Sequence, residues 1–154
     1  MVDEDLAADS ADPLGKVYFN APGTASVRWD RGLGAVVEVW EGWANASEFK
    51  AMLDAGIEAL RDNHGSRWFA DCRLQRVLRK EDQKMALEWL PRALAAGMKR
   101  FAVVLPKSGL ARANMKDHLS DASGVSLEME YFETPDEAKR WLVRGDALTE
   151  RAFG

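Results

Sequence analysis

The residues best suited to chemistry lie in short stretches: Asp71-Cys72-Arg73 sets a carboxyl, a thiol and a guanidinium side by side, Lys107-Ser108 follows a proline, and Trp43 stands in a polar stretch. A carboxylate at the end of an apolar strand is partly desolvated, which raises its pKa and suits proton transfer. The same carboxylate accepting hydrogen bonds from the next turn is held low instead, and that second environment is the one expected for Asp71. No adjacent histidine or second carboxylate completes an acid-base pair. Cys72 as a nucleophile needs a base beside it, and without one a free cysteine is a small buried hydrophobe. With Cys72 the only cysteine and His64 and His118 the only histidines, no metal-ligand spacing and no intramolecular disulfide can be assembled. No catalytic residue, metal or cofactor is therefore assigned. Trp43, Asp71, Arg73, Trp89, Lys107 and Ser108 are the candidates for binding.

Something must position these residues, and the pattern of the chain indicates what. Lys16 to Asn20, Ser26 to Asp30 and Gly34 to Trp40 are β-type runs separated by turn residues, which predicts an antiparallel N-terminal hairpin. Asn45 with Glu48 three residues on forms a capping box, and Phe49, Met52, Leu53, Gly56, Ile57 and Leu60 recur on one helical face until Gly65. Trp68-Phe69-Ala70 reads as a buried strand ending at Asp71. Glu81 and Asp82 open a second helix with Met85, Ala86, Trp89, Leu90, Ala93 and Leu94 on its apolar face. Pro91 falls inside that face and is expected to divide it into two segments.

Phe101 to Leu105 is apolar throughout, as a central strand covered on both sides must be. A helix from Ser108 to about Leu119 and a strand from Leu127 to Phe132 follow, and Thr134-Pro135-Asp136-Glu137 starts a last helix with Ala138, Trp141 and Leu142. The fold class is then α/β: a mixed sheet of about five to six strands with an antiparallel N-terminal hairpin and flanking helices. Residues 1–13 are expected to be a disordered acidic tail, 14–144 a single domain, and 145–154 a C-terminal tail.

In parallel strands the loops after Trp40, Asp71, Leu105 and Phe132 open on one edge of the sheet, where ligands of open α/β folds bind. That edge would gather Trp43 as a flat wall, Arg73 and Lys107 as charges, and the helix N-terminus at Ser108 as an anion site. Most of the tryptophans fall within predicted elements and belong to the core. An exposed edge among them, Trp89 included, would line an apolar groove.

Composition narrows the class of function. A formal net charge of -4 supplies no global positive field for a nucleic-acid backbone, so no nucleic-acid partner is expected. No apolar run approaches a membrane span, and the acidic start lacks the form of a secretory signal, which places the chain in the cytoplasm.

The blocks Val36-Val37-Glu38-Val39-Trp40, Trp68-Phe69-Ala70-Asp71, Glu81-Asp82-Gln83, Trp89-Leu90-Pro91-Arg92-Ala93 and Phe101-Ala102-Val103-Val104-Leu105, in the order β-β-α-β-α-β-α-β-α, resemble bacterial STAS/SEC14-like proteins of the SpoIIAA-like superfamily. The resemblance spans roughly Ser26 to Val143. It implies a regulatory or protein-interaction module and no enzymatic activity. In the anti-sigma-factor antagonists of that superfamily a serine or threonine follows the aspartate at the end of a central strand and is phosphorylated. Here Cys72 stands in that place, so the resemblance implies partner binding without the usual phosphoacceptor. Its SEC14-like branch implies an alternative, a carrier domain for a small apolar or amphipathic ligand. An enzyme of unknown class is the third reading. The expected partner is thus a protein or a small apolar ligand, with a homodimer as a further arrangement.

Overall fold

A computed structural model of the chain describes residues 15–119 and 127–144. The expected tails at 1–13 and 145–154 lie outside the described residues. Six strands form one sheet in sequential order: β1 (Val17–Ala21), β2 (Ala25–Asp30), β3 (Ala35–Trp40), β4 (Arg67–Asp71), β5 (Arg100–Val104) and β6 (Glu128–Phe132). The first three pair antiparallel, with Val27 opposite Glu38. From β3 onward the pairing is parallel, with Glu38 opposite Ala70 and Ala70 opposite Val103. The expected mixed α/β sheet with its antiparallel N-terminal hairpin is the observed fold.

Each parallel crossover carries a helix: α1 (Ala46–Asn63) after β3, α2 (Lys80–Ala95) after β4 and α3 (Gly109–Leu119) after β5, and α4 (Pro135–Arg144) follows β6. The helix ends are set locally. At α1 the Asn45 side chain accepts from the Glu48 amide at 2.8 Å and the Glu48 carboxylate accepts from the Asn45 amide at 3.0 Å, completing the capping box. His64 closes the same helix in the left-handed conformation with φ 50°. The Thr134 hydroxyl accepts from the Glu137 amide at 3.3 Å and starts α4.

The period-two alternation of the strands divides the core. Val36, Trp40, Trp68, Ala70, Phe101 and Val103 face α1 and α2 in the larger cluster, while Ala35, Val37, Phe69, Ala102 and Val104 face Ala138 and Leu142 of α4 on the other side. From Phe101 to Val104 β5 is buried on both faces, as that apolar run requires.

The expected division at Pro91 does not occur. α2 runs unbroken from Lys80 to Ala95 with Pro91 inside it, and Pro91 is exposed rather than part of the apolar face. Burial of Trp89 and Leu90 just before the proline and of Ala93 just after it holds the helix together across the hydrogen bond that proline cannot donate.

Trp68 is fully buried at the centre of the larger cluster, and it reaches α1 at Gly56, where a Cβ would overlap the indole ring. Alanine favours a helix interior over glycine by about 1 kcal/mol. The overlap is with a rigid, fully buried ring, so overpacking wins. Gly56→Ala is expected to destabilise the protein by about 1 to 3 kcal/mol net in urea unfolding, and a stability equal to or above wild type would show that α1 can shift away from the sheet.

Candidate functional site

The loops after β3, β4 and β5 meet at the carboxyl edge of the parallel strands and enclose an open cleft. Trp43, Arg73, Lys107 and Ser108 line it together with Glu41, Leu74, Gln75, Arg76 and Val77. The sequence thus brings four of its six candidate residues to one place. Hydrogen bonds hold the loops in register: the Cys72 amide donates to Val104 O at 3.0 Å, the Lys107 amide to Arg73 O at 3.1 Å, and the Leu78 amide to Asn114 Oδ1 of α3 at 3.0 Å. Trp43 is 48% exposed, and the Arg79 guanidinium lies 5.2 Å from its ring centroid. That guanidinium is in turn fixed by Asp82, which accepts from Arg79 Nε at 3.0 Å. A cation so placed over an indole keeps the ring at one angle.

Asp71 does not line the cleft. It is buried at the end of β4 and accepts from Arg73 three times, from Nε at 3.0 Å, from Nη2 at 2.8 Å and from the backbone amide at 3.2 Å. Both of its oxygens are occupied by one arginine, which is the structural arrangement expected of a strand-end aspartate. Arg73 is correspondingly committed, and its pKa is raised by that hydrogen bonding. Ser108 is also engaged, since its hydroxyl accepts from the Ala111 amide at 3.3 Å and caps α3.

Trp89 sits elsewhere. It is buried on the inner face of α2, with its ring centroid 4.8 Å from that of Trp68 and 5.7 Å from that of Phe101. Its neighbourhood holds a feature the sequence reading passed over. Glu38 projects from β3 into this larger core, between the in-facing Val36 and Trp40. Its carboxyl accepts from Trp40 Nε1 at 2.6 Å and from Trp68 Nε1 at 3.0 Å. Burial pushes the carboxyl above the usual range, and the two indole donors oppose that shift. Cys72 lies on the same side, where burial, then the nearby Glu38 and Asp71 charges, hold its thiol well above its ordinary pKa. It is a buried thiol and no nucleophile. The available signal for Glu38 was its position: an acidic residue at an in-facing step of the Val36-Val37-Glu38-Val39-Trp40 strand, in a chain with six tryptophans whose N–H groups need acceptors.

Among the described residues no group of histidine, cysteine, aspartate and glutamate is placed to hold a metal ion, and no helix is long and apolar enough to cross a membrane. Comparison of the chain with protein-family models, with curated proteins and with solved structures finds no match.

Two outcomes follow from this geometry. Asp71→Asn keeps the shape but replaces one acceptor with an amide that faces the Arg73 donors. With Arg73 partly exposed the loss is expected to be about 1 kcal/mol in urea unfolding, and no loss would mean that the pair contributes nothing to the fold. Glu38 predicts a pH dependence. In the unfolded chain it ionises in the ordinary range, near ~4.3, whereas in the native protein it keeps its proton to higher pH. Across that window the native state binds more protons, so its contribution makes stability fall as pH rises and level off above the native pKa. Glu38→Gln is expected to lack this fall when unfolding midpoints are compared from mildly acidic to neutral pH. Parallel profiles for the two proteins would mean that Glu38 is ionised in the native state.

Proposed function

We propose that this chain is a non-enzymatic STAS-like interaction module that docks a protein segment with an apolar face and an acidic rim at the carboxyl edge of its sheet. The observation that carries the reading is where the exposed apolar side chains lie. Of the five large ones among the described residues, Trp43, Leu74 and Val77 line this one cleft and Leu110 stands in the first turn of α3 after it, while Val17 lies apart on the edge strand β1. Large exposed apolar groups gathered at one place mark an interaction surface, whereas scattered ones do not. Arg76 and Lys107 rim the cleft against the single carboxylate of Glu41. In a chain of net charge -4 this local excess of positive charge selects an acidic partner.

The resemblance to SpoIIAA-like proteins supports the same edge, because their phosphoacceptor follows the strand that corresponds to β4. Cys72 has no hydroxyl and is buried, so docking here is not switched by phosphate at that position. An enzymatic reading has less support, since Asp71, the sharpest acid-base candidate, is saturated by Arg73. A carrier of acyl-chain size also has less support, because the interior space beside Trp89 is only about 50 Å³.

The test uses a synthetic helical peptide with leucines on one face and glutamates on the other. Its binding is expected to weaken with salt and to shift backbone NMR signals of residues 41–43, 73–77 and 107–110. Trp43→Ala combined with Lys107→Glu is expected to weaken it about tenfold. Equal affinity for a peptide with lysines in place of the glutamates, or shifts confined to another face, would overturn the proposal. So would a dimer in sedimentation that Leu74→Asp dissociates, which would make a second copy of the chain the occupant.

A further inference from the structure

The two faces of the sheet are unequally covered. α1 packs on β1, β2 and β3, whereas α4 approaches β4, β5 and β6, and among the described residues no helix crosses the first three strands on the α4 side. The alternation of β2 records the difference. Ala25 and Val27 on the α1 side are fully buried, while Ser26 and Arg28 on the other are only half-buried. Val17 pairs with Arg28 from the edge strand and is 50% exposed, and Val39 is half-buried opposite Ser26. This patch is also basic. Arg28 lies in one cross-strand row with Val17, Val37 and Phe69, and Lys139 of α4 reaches over the Phe69 ring, its Nζ 5.6 Å from the centroid. The two cations flank Val37, and neither forms an ion pair among the described residues. Asp30, the carboxylate of β2 on this side, is turned to the Leu33 amide, which donates to it at 2.9 Å.

We propose that this patch is a docking surface for the chain's own residues 1–14, whose carboxylates meet Arg28 and Lys139 and whose apolar side chains cover Val17 and Val39. Charge selects this occupant. The segment carries Asp3, Glu4, Asp5, Asp9 and Asp12 and no lysine or arginine, with Val2, Leu6 and Leu14 between and beside them. The chain holds 25 acidic residues against 21 basic ones, so with these five set aside the remainder is net positive, and the segment and the rest of the molecule are of opposite sign. Position agrees with charge. The segment joins the fold at Gly15, directly before β1, the strand that borders the patch. Gly15 has φ 91° and a Cβ there would overlap the Trp29 carbonyl oxygen, so the chain is pressed onto the end of β2 where it enters the sheet. Reach is sufficient, because the chain from Gly15 back to Ala8 extends up to about 25 Å, against about 10 Å from β1 to β3. So acidic a segment does not fold alone, but beside a preformed surface its tether gives it an effective concentration of about millimolar. The cleft lies at the opposite end of the strands, and the inference does not rest on the docking reading.

The experiment attaches a nitroxide to the full chain at Ala8→Cys, with the buried Cys72 out of reach of the reagent, and follows the broadening of backbone amide signals. Residues 26–28 and 37–39 are expected to broaden strongly. The broadening is expected to be lost when Asp3→Lys, Glu4→Lys and Asp5→Lys are combined, and to return when Arg28→Glu is added to them. Concentrated sodium chloride is expected to act like the lysine variant, since the charges meet at the surface. If Arg28→Glu does not fold, the lysine variant decides alone, because its substitutions lie outside the described residues. Undiminished broadening in the lysine variant overturns the charge recognition. Broadening confined to residues 15–17 and 29–31, next to the point of attachment, overturns the docking. So does broadening of residues 41–43, 73–77 and 107–110, which would seat the segment in the cleft. Transfer of the broadening to an isotope-labelled copy that carries no nitroxide would make the segment of a second chain the occupant and overturn the intramolecular contact. Trp43→Ala with Lys107→Glu is expected to leave the signals of 26–28 and 37–39 as broad as before, so failure of the cleft reading and failure of this one are told apart.

Discussion

The structure depends on how the Trp68 indole is accommodated. Its ring is fully buried, so it needs space, aromatic neighbours and an acceptor at once. Gly56 supplies the space by bringing α1 close to the sheet without a side chain in between. Trp89 of α2 and Phe101 of β5 pack edge-on against it, at 4.8 and 6.4 Å between ring centroids. The acceptor is Glu38, which serves Trp68 with one oxygen and Trp40 with the other. A carboxyl on β3 presents one oxygen to each indole, and replacing it with an apolar side chain would leave two buried donors unpaired. The spacing of α1, the placement of α2 and the polar wall of the cavity all follow from housing this one ring.

The carboxyl edge is a product of topology. Because the chain runs antiparallel for three strands and then parallel, the loops after β3, β4 and β5 emerge together, and sequential strand order makes them immediate neighbours. The same rule sends α1, α2 and α3 to one face and leaves the other to α4. Closeness alone does not make those loops a surface of fixed shape. The amide of Lys107 on Arg73 O, Asn114 on Leu78 and Arg79 over Trp43 do that. Asp71 completes the arrangement by fixing Arg73 with both oxygens, so the charge free to meet a partner is that of Arg76 and Lys107.

What could be read from the sequence was what local chemistry and periodicity encode. The capping box at Asn45 and Glu48, the Thr134-Pro135 start of α4, the alternating strands and the apolar β5 each carry their own signal, and each forms where that signal lies. The gathering of Trp43, Arg73, Lys107 and Ser108 was legible because strand direction alone determines it. Three features were not, and each turns on the direction of a side chain within a packed core. Pro91 lies one step outside the buried face of α2, where propensity cannot weigh the burial on either side of it. Trp89 points into the interior and not toward the edge. Glu38 looks like a break in an apolar strand until the indoles of Trp40 and Trp68 are seen to converge on it, which only the parallel register of β3 and β4 brings about.

The cleft and the cavity are distinct in chemistry but share a wall. Past the end of β4 the chain alternates between them: Cys72, Gln75 and Leu78 are buried and line the cavity, whereas Leu74, Arg76 and Val77 are exposed and line the cleft, with Gln75 reaching both. This short segment has no sheet ladder of its own. It is held by the Cys72 amide on Val104 O, by the Gln75 amide on Cys72 O, by Lys107 on Arg73 O, by Leu78 on Asn114 and by Gln83 Nε2 on Leu78 O, while Leu74 and Val77 remain exposed. A partner covering Leu74 and Val77 would therefore meet a backbone whose alternate side chains, Cys72, Gln75 and Leu78, are already packed in the interior.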